Sequence, residues 1–273
     1  MSDLRPGLYV VATPIGNLGD LSPRAREVLT AAAIVAAEDT RTSARILDLA
    51  GSSARRVSLT EHNVGQRAPE LLEAAKLAPV ALVSDAGTPV LADPGARLVA
   101  AAHDAKIPVF AVAGPSALAA AVSVSGFEGS DVHFLGFLPR QRGERLARLR
   151  NAMASAAVIV LFESPNRLAA TLTELASLGD PTVTVCRELT KLHEQVLRGA
   201  ASELAATFAS ARGECTVVVQ SPPRPDATEE DVRAYLAEMH RAGARRSPAA
   251  AEAARRFGIE RQRAYTLWPD GSG

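Results

Sequence analysis

Short apolar runs alternate with segments of helical periodicity along the first half of the chain. Strands are predicted at residues 8–12, 33–37, 56–59, 80–84 and 107–113, most of which are apolar runs. Between them, apolar positions recur every three or four residues, which predicts helices that begin at Ser22-Pro23 and at residues 40–49, 69–76 and 94–105. Strands and helices that alternate in this way predict a parallel sheet covered by helices on its faces.

A second series of the same kind follows a predicted helix at residues 116–125. Strands are predicted at 132–135, 157–162, 182–186 and 216–220, and helices at 144–154, 166–178 and 202–211. The prolines of residues 222–226 interrupt the pattern and predict a linker, and helices are predicted at 229–241, 247–257 and 260–268. We therefore expect an N-terminal α/β domain (1–117), a C-terminal α/β domain (118–222) and a small helical appendage (223–273).

Composition narrows the class of protein. The chain has 273 residues, of which 47% are hydrophobic and 22% charged, enough for two or three buried cores. Its apolar runs are too short to span a bilayer, and the residues before Leu8 lack the apolar segment of a signal peptide. Cys186 and Cys215 lie in apolar runs typical of buried thiols, and the five histidines are scattered singly. We expect a cytoplasmic protein without a membrane span, a disulfide or a metal site.

The formal net charge is zero, but the arginines are unevenly placed. Residues 140–150 contain five arginines and residues 241–263 contain seven. Each stretch is typical of a solvated helix surface, and each would also suit contacts to RNA phosphates.

Loops that directly follow strands are the expected ligand sites of an open α/β sheet. In residues 84–95, Asp85 ends a buried strand, Gly87 permits a positive φ, and prolines stiffen the loop. A rigid loop with exposed amides suits a carboxylate, such as the amino-acid end of a methionine-like ligand. The loop at 13–20, whose Gly16 lets the backbone approach a ligand, and the helix start at Ser116 would flank the same pocket, although ordinary turns have similar sequences.

Two further segments carry candidate catalytic groups. Glu38, Asp39 and Arg41 follow a strand, where adjacent carboxylates and a guanidinium suit the orientation of a polar substrate but are also typical of a helix N-terminus. Lys191 is one of three lysines against 27 arginines. Desolvation and cationic neighbours can lower the pKa of a lysine, so Lys191 is a candidate general base.

Six motifs occur in one order: TPIGNL (13–18), AEDTR (37–41), SDAGTP with DPG (84–89 and 93–95), GPS (114–116), GFLP (136–139) and RELTK (187–191). Together they resemble the small-subunit ribosomal RNA methyltransferases of the tetrapyrrole methylase superfamily. The resemblance covers residues 7–221 and continues more loosely beyond them. It implies a tetrapyrrole-methylase-like fold, with two α/β domains and S-adenosylmethionine in the cleft between them, usually in a homodimer.

The resemblance also implies an activity and a set of contacts. The activity is 2′-O-methylation of a cytidine ribose in the decoding region of 16S rRNA, in the small ribosomal subunit, and the sulfonium is already an activated electrophile, so no metal is required. Glu38, Asp39, Arg41 and Lys191 are then the candidates that remove the hydroxyl proton or orient the substrate, in no fixed order. The implied cofactor contacts are Pro14, Gly16, Asp85, Ala86, Gly87, Thr88, Pro89, Ser116 and Ala117.

The sequence departs from the family at three points that bear on substrate contact. Leu161-Phe162 stands where Phe-Tyr is more usual, residues 192–194 lack the common aromatic, and Arg245-Arg246 replaces a lysine-rich segment. Two other functions stay open: methylation of a corrinoid or porphyrin precursor by an enzyme of the same superfamily, and RNA binding by a non-catalytic assembly factor.

Overall fold

The computed structural model describes residues 4–128, 130–222 and 228–269. It divides into two compact units, Met1–Ser221 and Pro222–Gly273. The first unit holds two β-sheets, and the second consists of helices. The predicted linker at 222–226 lies, apart from Pro222, outside the described residues, and the boundary between residues 117 and 118 stays a prediction.

The first sheet is parallel throughout, as predicted, and has the strand order β3-β2-β4-β1-β5. Its strands are β1 (Gly7–Val11), β2 (Ile34–Ala37), β3 (Arg55–Ser58), β4 (Pro79–Val83) and β5 (Val109–Val112). The helices between them are α1 (Pro23–Ala31), α2 (Thr40–Ala50), α3 (Val64–Leu77) and α4 (Ala96–Asp104). Because all strands run the same way, the loops at residues 12–20, 38–41, 84–95 and 113–117 follow the carboxyl ends of strands at one edge.

The central strands of this sheet are buried on both faces, which explains why β1, β2 and β4 are continuously apolar, whereas the edge strand β3 begins with two exposed arginines. In β4, Val80 and Leu82 pack into one apolar cluster, whereas Ala81 and Val83 pack into the cluster on the opposite face. A strand in which apolar and polar residues alternate would have placed polar side chains in one of these two cores.

Helix α3 begins five residues before the predicted start at Pro69, so that prediction was wrong. Asn63 stabilises the earlier start, because its Oδ1 accepts the Thr60 amide at 2.8 Å. Proline lacks the amide that an interior helix position donates, yet the helix continues through Pro69, where the residue four positions earlier is the small Gly65.

The second sheet follows helix α5 (Ala117–Ser125) and is mixed, with the strand order β6-β7-β10-β8-β9. Only β6 and β7 are parallel to each other; the other neighbours are antiparallel. The strands are β6 (Val132–Phe137), β7 (Val158–Glu163), β8 (Thr182–Arg187), β9 (Gln195–Ala200) and β10 (Cys215–Gln220), and the helices are α6 (Arg142–Ser155), α7 (Pro165–Ser177) and α8 (Ala201–Thr207). Strand β9 was not predicted.

The second unit is a three-helix cluster formed by α9 (Glu229–Arg241), α10 (Arg246–Phe257) and α11 (Arg261–Thr266). Thr228 and Asp231 form a reciprocal capping box at the start of α9. Gly258, at φ 64°, ends α10 and begins a short turn into α11, as in a helix-turn-helix pair. No helix in the described part of the chain is both long and apolar enough to cross a membrane.

Candidate active site

A cavity of about 380 Å³ lies in the first unit, beyond the carboxyl ends of the parallel strands. Loops of the first sheet form one side, and strand ends of the second sheet form the other. Six of the predicted cofactor residues line it: Asp85, Ala86, Gly87, Thr88, Ser116 and Ala117. Pro14, Gly16 and Pro89 do not line it. Contact between these residues and a cofactor stays a prediction.

Hydrogen bonds hold the loop at residues 84–89 in place. Thr13 and Gly87 exchange two backbone bonds of 2.8 and 3.0 Å, and the Thr88 hydroxyl donates to the Pro115 carbonyl at 3.1 Å. Gly87 adopts φ 80°, and a Cβ there would lie 3.2 Å from Ile15 Cγ2. These hydrogen bonds fix the loop, and because the Gly87 amide already has Thr13 as its acceptor, it is not one of the amides that could bind a ligand.

The end of the same loop is strained next to a carboxylate. Val90 and Ala92 have φ values of 76° and 67°, which side chains with a Cβ rarely adopt. Asp93 follows them and lines the cavity. Burial and the nearby charges of Glu38 and Asp85 raise the pKa of Asp93 to about 6, while the Ser84 hydroxyl acts in the opposite direction.

Glu38, Asp39 and Arg41 lie beside the cavity but do not line it. The Asp39 amide donates to Asp85 Oδ1 at 3.1 Å, and the Asp39 carboxylate caps helix α2 through the Arg41 amide at 2.8 Å. The Arg41 guanidinium also binds this carboxylate at 3.2 and 2.9 Å. These hydrogen bonds lower the pKa of Asp39 to about 2. A carboxylate this acidic is a poor proton acceptor at neutral pH, so Asp39 is better suited to orient a substrate than to take its proton, and that role stays a prediction.

Glu38 is exposed, and partial desolvation together with the charges of Asp85, Glu61 and Asp39 raises its pKa. Arg41 is 91% exposed at its side chain despite its pairing with Asp39. The segment therefore combines the predicted helix start with an arginine that reaches solvent next to the cavity.

Lys191 joins the two sides of the site. Its Nζ lies 2.8 Å from Glu188 Oε1 and 2.8 Å from Glu214 Oε2, and Glu214 lines the cavity. Burial lowers the pKa of Lys191, but the hydrogen bonds and charges of the two glutamates outweigh it and raise the pKa above its usual value. The expected lowered pKa was wrong, because Lys191 has two anionic neighbours and no cationic one close enough to compete.

The stem of Lys191 packs against the first loop. A Cβ on Gly16 would lie 2.4 Å from Lys191 Cγ, and the Asn17 amide donates to Thr190 Oγ1 at 3.0 Å. Glycine at position 16 therefore allows the loop to lie directly on the turn at residues 188–191. Ile15, the neighbour of Gly16, lines the cavity.

The predicted site residues do not include the cavity residues of the second sheet. Phe137 and Phe162 form an edge-on aromatic pair with centroids 5.7 Å apart, and Cys186, Cys215 and Thr216 complete this wall. Each lies at or near a strand end, which is the signal that could have found them. Burial raises the pKa of Cys186 to about 12 and that of Cys215 to about 11, so both are the inert thiols predicted.

The arginine-rich stretch at 140–150 is less basic than its sequence indicates. Arg145 is buried, and its guanidinium binds both oxygens of the buried Glu174 at 2.6 Å. Arg148 donates to the Leu135 carbonyl at 2.9 Å. Arg145 was therefore wrongly counted on a phosphate-binding face, whereas Arg148 remains exposed.

The C-terminal unit also uses some of its arginines internally. The Arg246 guanidinium lies 4.2 Å from the centre of the Tyr265 ring and donates to the Tyr265 carbonyl, and Arg263 pairs with Glu229. Because these contacts hold the Arg246 guanidinium, it is less available to a phosphate than the sequence indicates. In the part of the chain that the structure describes, Arg245 has no ion pair or hydrogen-bond acceptor.

The site combines three environments that suit one elongated, cationic ligand. Phe137, Phe162 and Leu189 offer apolar contact. The first amides of α5, next to Ser116, have no partner inside the helix and suit an anionic group. Asp85 and Asp93 place negative charge between these regions. Among the described residues, no group of three or more His, Cys, Asp or Glu side chains is arranged to hold a metal ion.

Comparison with known proteins gives three concordant results. The family model described as Tetrapyrrole (Corrin/Porphyrin) Methylases matches residues 7–205. Ribosomal RNA small subunit methyltransferase I of Mesorhizobium japonicum is 43% identical over 269 residues, which are 96% of this chain and 91% of that protein. The protein of the same name from Synechocystis is 42% identical over 95% of this chain and 96% of its own length.

A solved structure shows the same fold. Uroporphyrin-III C-methyltransferase from Thermus thermophilus, in complex with S-adenosylhomocysteine, superposes with a TM-score of 0.57 at 18% identity, over 78% of this chain and 97% of the other. The predicted tetrapyrrole-methylase-like fold is thereby confirmed. The chain belongs to the tetrapyrrole methylases and, within them, to the family of ribosomal RNA small subunit methyltransferase I.

Proposed function

We propose that this chain transfers a methyl group from S-adenosylmethionine to the ribose 2′-oxygen of a cytidine in 16S rRNA of the small ribosomal subunit. The observation that carries the proposal is the cavity at the strand ends, which is lined by six of the residues that the family motifs assign to the cofactor. Two relatives that are 43% and 42% identical to this chain, over 96% and 95% of its length, bear the name of a small-subunit rRNA methyltransferase.

The residues of the cavity fit S-adenosylmethionine. When bound, this cofactor supplies a methyl group on a positively charged sulfonium, which needs no metal for activation. Asp85 would balance positive charge of the cofactor, and the start of α5 at Ser116 would bind its carboxylate. Phe137 and Phe162 would contact the adenine. A volume of about 380 Å³ lies within the range of small-molecule sites.

The chain's own residues would align the reacting groups. Holding a donor and an acceptor in line converts an encounter in solution into a reaction within one complex. Arg41, exposed beside Asp85, would bind a phosphate next to the acceptor ribose, and Glu38 would accept a hydrogen bond from a substrate hydroxyl. Lys191 would keep the loop of Gly16 against the cavity.

The acceptor RNA would be held through its phosphates by exposed arginines of both units. Arg140, Arg142 and Arg150 are exposed on the first unit, and Arg245 is exposed at the start of α10. Such contacts weaken as salt rises. A ribosomal substrate also places the protein in the cytoplasm.

We further propose that the protein works as a homodimer. Val124 on α5 is 48% exposed, and Val132 on the edge strand β6 is 37% exposed. Apolar side chains at a sheet edge are typical of a surface that a second copy covers. Light scattering after size-exclusion chromatography tests this; a mass near the 28.5 kDa of one chain would contradict it.

The decisive experiment is transfer of a labelled methyl group to isolated small subunits, followed by alkaline hydrolysis of the RNA. A 2′-O-methyl group removes the internal nucleophile and leaves an alkali-resistant dinucleotide, whereas base methylation does not. Label in that dinucleotide, with cytidine on its 5′ side, supports the proposal. Label on a tetrapyrrole precursor but not on RNA would favour the other activity of the superfamily, and cofactor binding without any transfer would favour an assembly factor.

A further inference from the structure

Among the described residues, four carboxylates line the cavity: Asp85, Asp93, Glu163 and Glu214. A methyl transfer to a hydroxyl needs a group that takes the hydroxyl proton, and a carboxylate close to the acceptor is a suitable one. Three of the four carboxylates are already bound by groups that oppose this role.

Glu163 is saturated by its own surroundings. Its side chain is 1% exposed, and its Oε1 accepts the Ser164 amide at 2.9 Å and lies 3.3 Å from Arg167 Nε. Its Oε2 accepts the Thr171 hydroxyl at 2.8 Å. Both oxygens are committed to the fold, so Glu163 supports the wall of the cavity.

Asp85 and Glu214 each bind a donor from another loop. Asp85 Oδ1 accepts the Asp39 amide at 3.1 Å, which holds the start of helix α2 against the cavity loop. Glu214 Oε2 binds Lys191 Nζ at 2.8 Å. These donors already occupy one oxygen of each carboxylate with a contact that holds the loops of the site together.

Asp93 differs from these three. No cation or backbone amide of the described residues binds it. The Ser84 hydroxyl, which donates to the Ala86 and Gly87 carbonyls at 3.3 Å, is the one neighbour that lowers its pKa. Its backbone position is fixed, because the strained residues Val90 and Ala92 precede it and Gly95, at φ 128°, packs against Leu82. A side chain held by strained backbone in a cavity is typical of a functional position.

The charges around Asp93 come from several elements. Glu38 after β2 and Asp85 after β4 repel its ionised form. Glu163 at the end of β7 and Glu214 before β10 lie on the opposite wall, neutralised by Arg167 and Lys191 respectively. These surroundings therefore favour the protonated form of the Asp93 carboxyl over its ionised form.

We propose that Asp93 is the catalytic residue that takes the proton of the acceptor hydroxyl. The hydroxyl oxygen forms a bond to the methyl carbon, and the bond between that carbon and sulfur breaks with its electron pair remaining on sulfur. The proton of the hydroxyl passes to a carboxylate oxygen of Asp93 and from there to water. This inference rests on the proposed methyltransferase function and adds the group that function needs.

The first test compares Asp93→Asn with the wild-type protein. We expect the rate of methyl transfer under saturating substrates to fall by about 10²–10⁴-fold, whereas the Kd of S-adenosylmethionine, measured by calorimetry, changes far less. The wild-type rate should fall on acidification with an apparent pKa near 6, and this acid limb should be absent from the residual activity of the variant. Asp104→Asn, an exposed position on α4, is the matched control.

A second variant separates catalysis from a structural role. Ser84→Ala removes the hydroxyl that lowers the pKa of Asp93, so the acid limb should move to higher pH while activity at alkaline pH is kept. A structural role for Asp93 would not predict such a displacement. An unmoved acid limb in a folded, active Ser84→Ala protein would count against the proposal.

A stability measurement tests the same carboxylate without turnover. Because the folded-state pKa of Asp93 is raised above its unfolded value, wild-type stability should fall as pH rises from about 4 through about 6. Asp93→Asn lacks this loss, so the Tm of the variant minus the Tm of the wild type should increase as the pH rises over that interval. A constant difference in Tm between the two proteins would overturn the electrostatic part of the argument.

The outcomes separate the two proposals. If wild-type protein binds S-adenosylmethionine but methylates no RNA, the proposed function fails. If the wild type methylates RNA and Asp93→Asn does so at the same rate with the same acid limb, the function stands and Asp93 is not the proton acceptor.

Discussion

The contact between Gly16 and Lys191 leads to a prediction about the first loop. A Cβ at position 16 would lie 2.4 Å from Lys191 Cγ, 2.9 Å from Thr190 Oγ1 and 3.0 Å from the Leu189 carbonyl oxygen. Real Cβ atoms do not approach other heavy atoms this closely, and the carbonyl belongs to the backbone. Gly16→Ala must therefore displace the loop, the turn or both.

The size of the effect follows from the crowding. Adding a methyl group to a well-packed contact costs about 1–3 kcal/mol. If the cofactor binds only when the loop lies on the turn, as it does here, the same free energy is lost from cofactor binding. At 1.4 kcal/mol for each factor of ten, cofactor affinity should fall by about 5-fold to 140-fold. Ile15 lines the cavity and would move with the loop, which links the crowding to the cofactor.

Calorimetric titration with S-adenosylmethionine measures this change. Gly143→Ala is the control, because a Cβ there meets nothing within 4 Å. The double variant Gly16→Ala with Lys191→Ala should recover part of the affinity lost in Gly16→Ala alone, since the shortest contact is removed. The residual loss would report the contacts with Thr190 Oγ1 and the Leu189 carbonyl, which remain.

Two results would refute this reasoning. Wild-type affinity in Gly16→Ala would mean that the loop takes no part in cofactor binding. A double variant whose losses simply add would mean that Gly16 and Lys191 are not coupled through contact.

Three further changes test other parts of the structure. Lys191→Met should slow methyl transfer by up to about 100-fold through misplacement of the loop and the turn, and leave the acid limb of the pH profile in place; loss of that limb would make Lys191 the titrating group. Glu174→Ala leaves Arg145 buried without its partner and should cost about 3–5 kcal/mol in denaturant unfolding, whereas the exposed Glu73→Ala should cost under about 1 kcal/mol. Arg245→Glu should weaken binding to small subunits, and the weakening should shrink as salt rises. If the variant and the wild-type protein bind with equal affinity at both low and high salt, Arg245 is excluded as a phosphate contact.

The first sheet was predictable because its strands carry their own signal. Runs such as residues 80–83 are apolar at every position, which indicates a strand covered on both faces. Strand β9 was missed because Gln195–Ala200 is only half-buried and contains Arg198 and Gly199, so neither an apolar run nor a clear alternation marks it. Its place in the sheet is set by the antiparallel pairing with β8.

The candidate site was predictable on one side for the same reason. Parallel strands bring the loops that follow them to one edge, so Asp85 and Ser116 could be placed together from sequence. The second wall depends on how a mixed sheet packs against that edge, and no local pattern encodes this. Phe137 and Glu163 were therefore seen as motif residues without a place in the cavity.

Charge posed a different difficulty. Arg145 reads as one more arginine of a solvated helix, but its partner Glu174 lies 29 residues further along the chain and the pair is buried. Lys191 gave the reverse error, because two glutamates and not cations surround it. A sequence shows which groups can ionise, whereas their partners across the fold decide the pKa.

These partners also indicate where acceptor choice is made. Leu91 is 38% exposed at the cavity, and an apolar side chain there would contact a nucleobase or a tetrapyrrole with little distinction. Discrimination must then come from groups that bind phosphates, of which a tetrapyrrole has none. Arg41 is 91% exposed beside the cavity and Arg245 lies on the other unit, so both should govern the KM for RNA while the affinity for S-adenosylmethionine depends on the cavity itself.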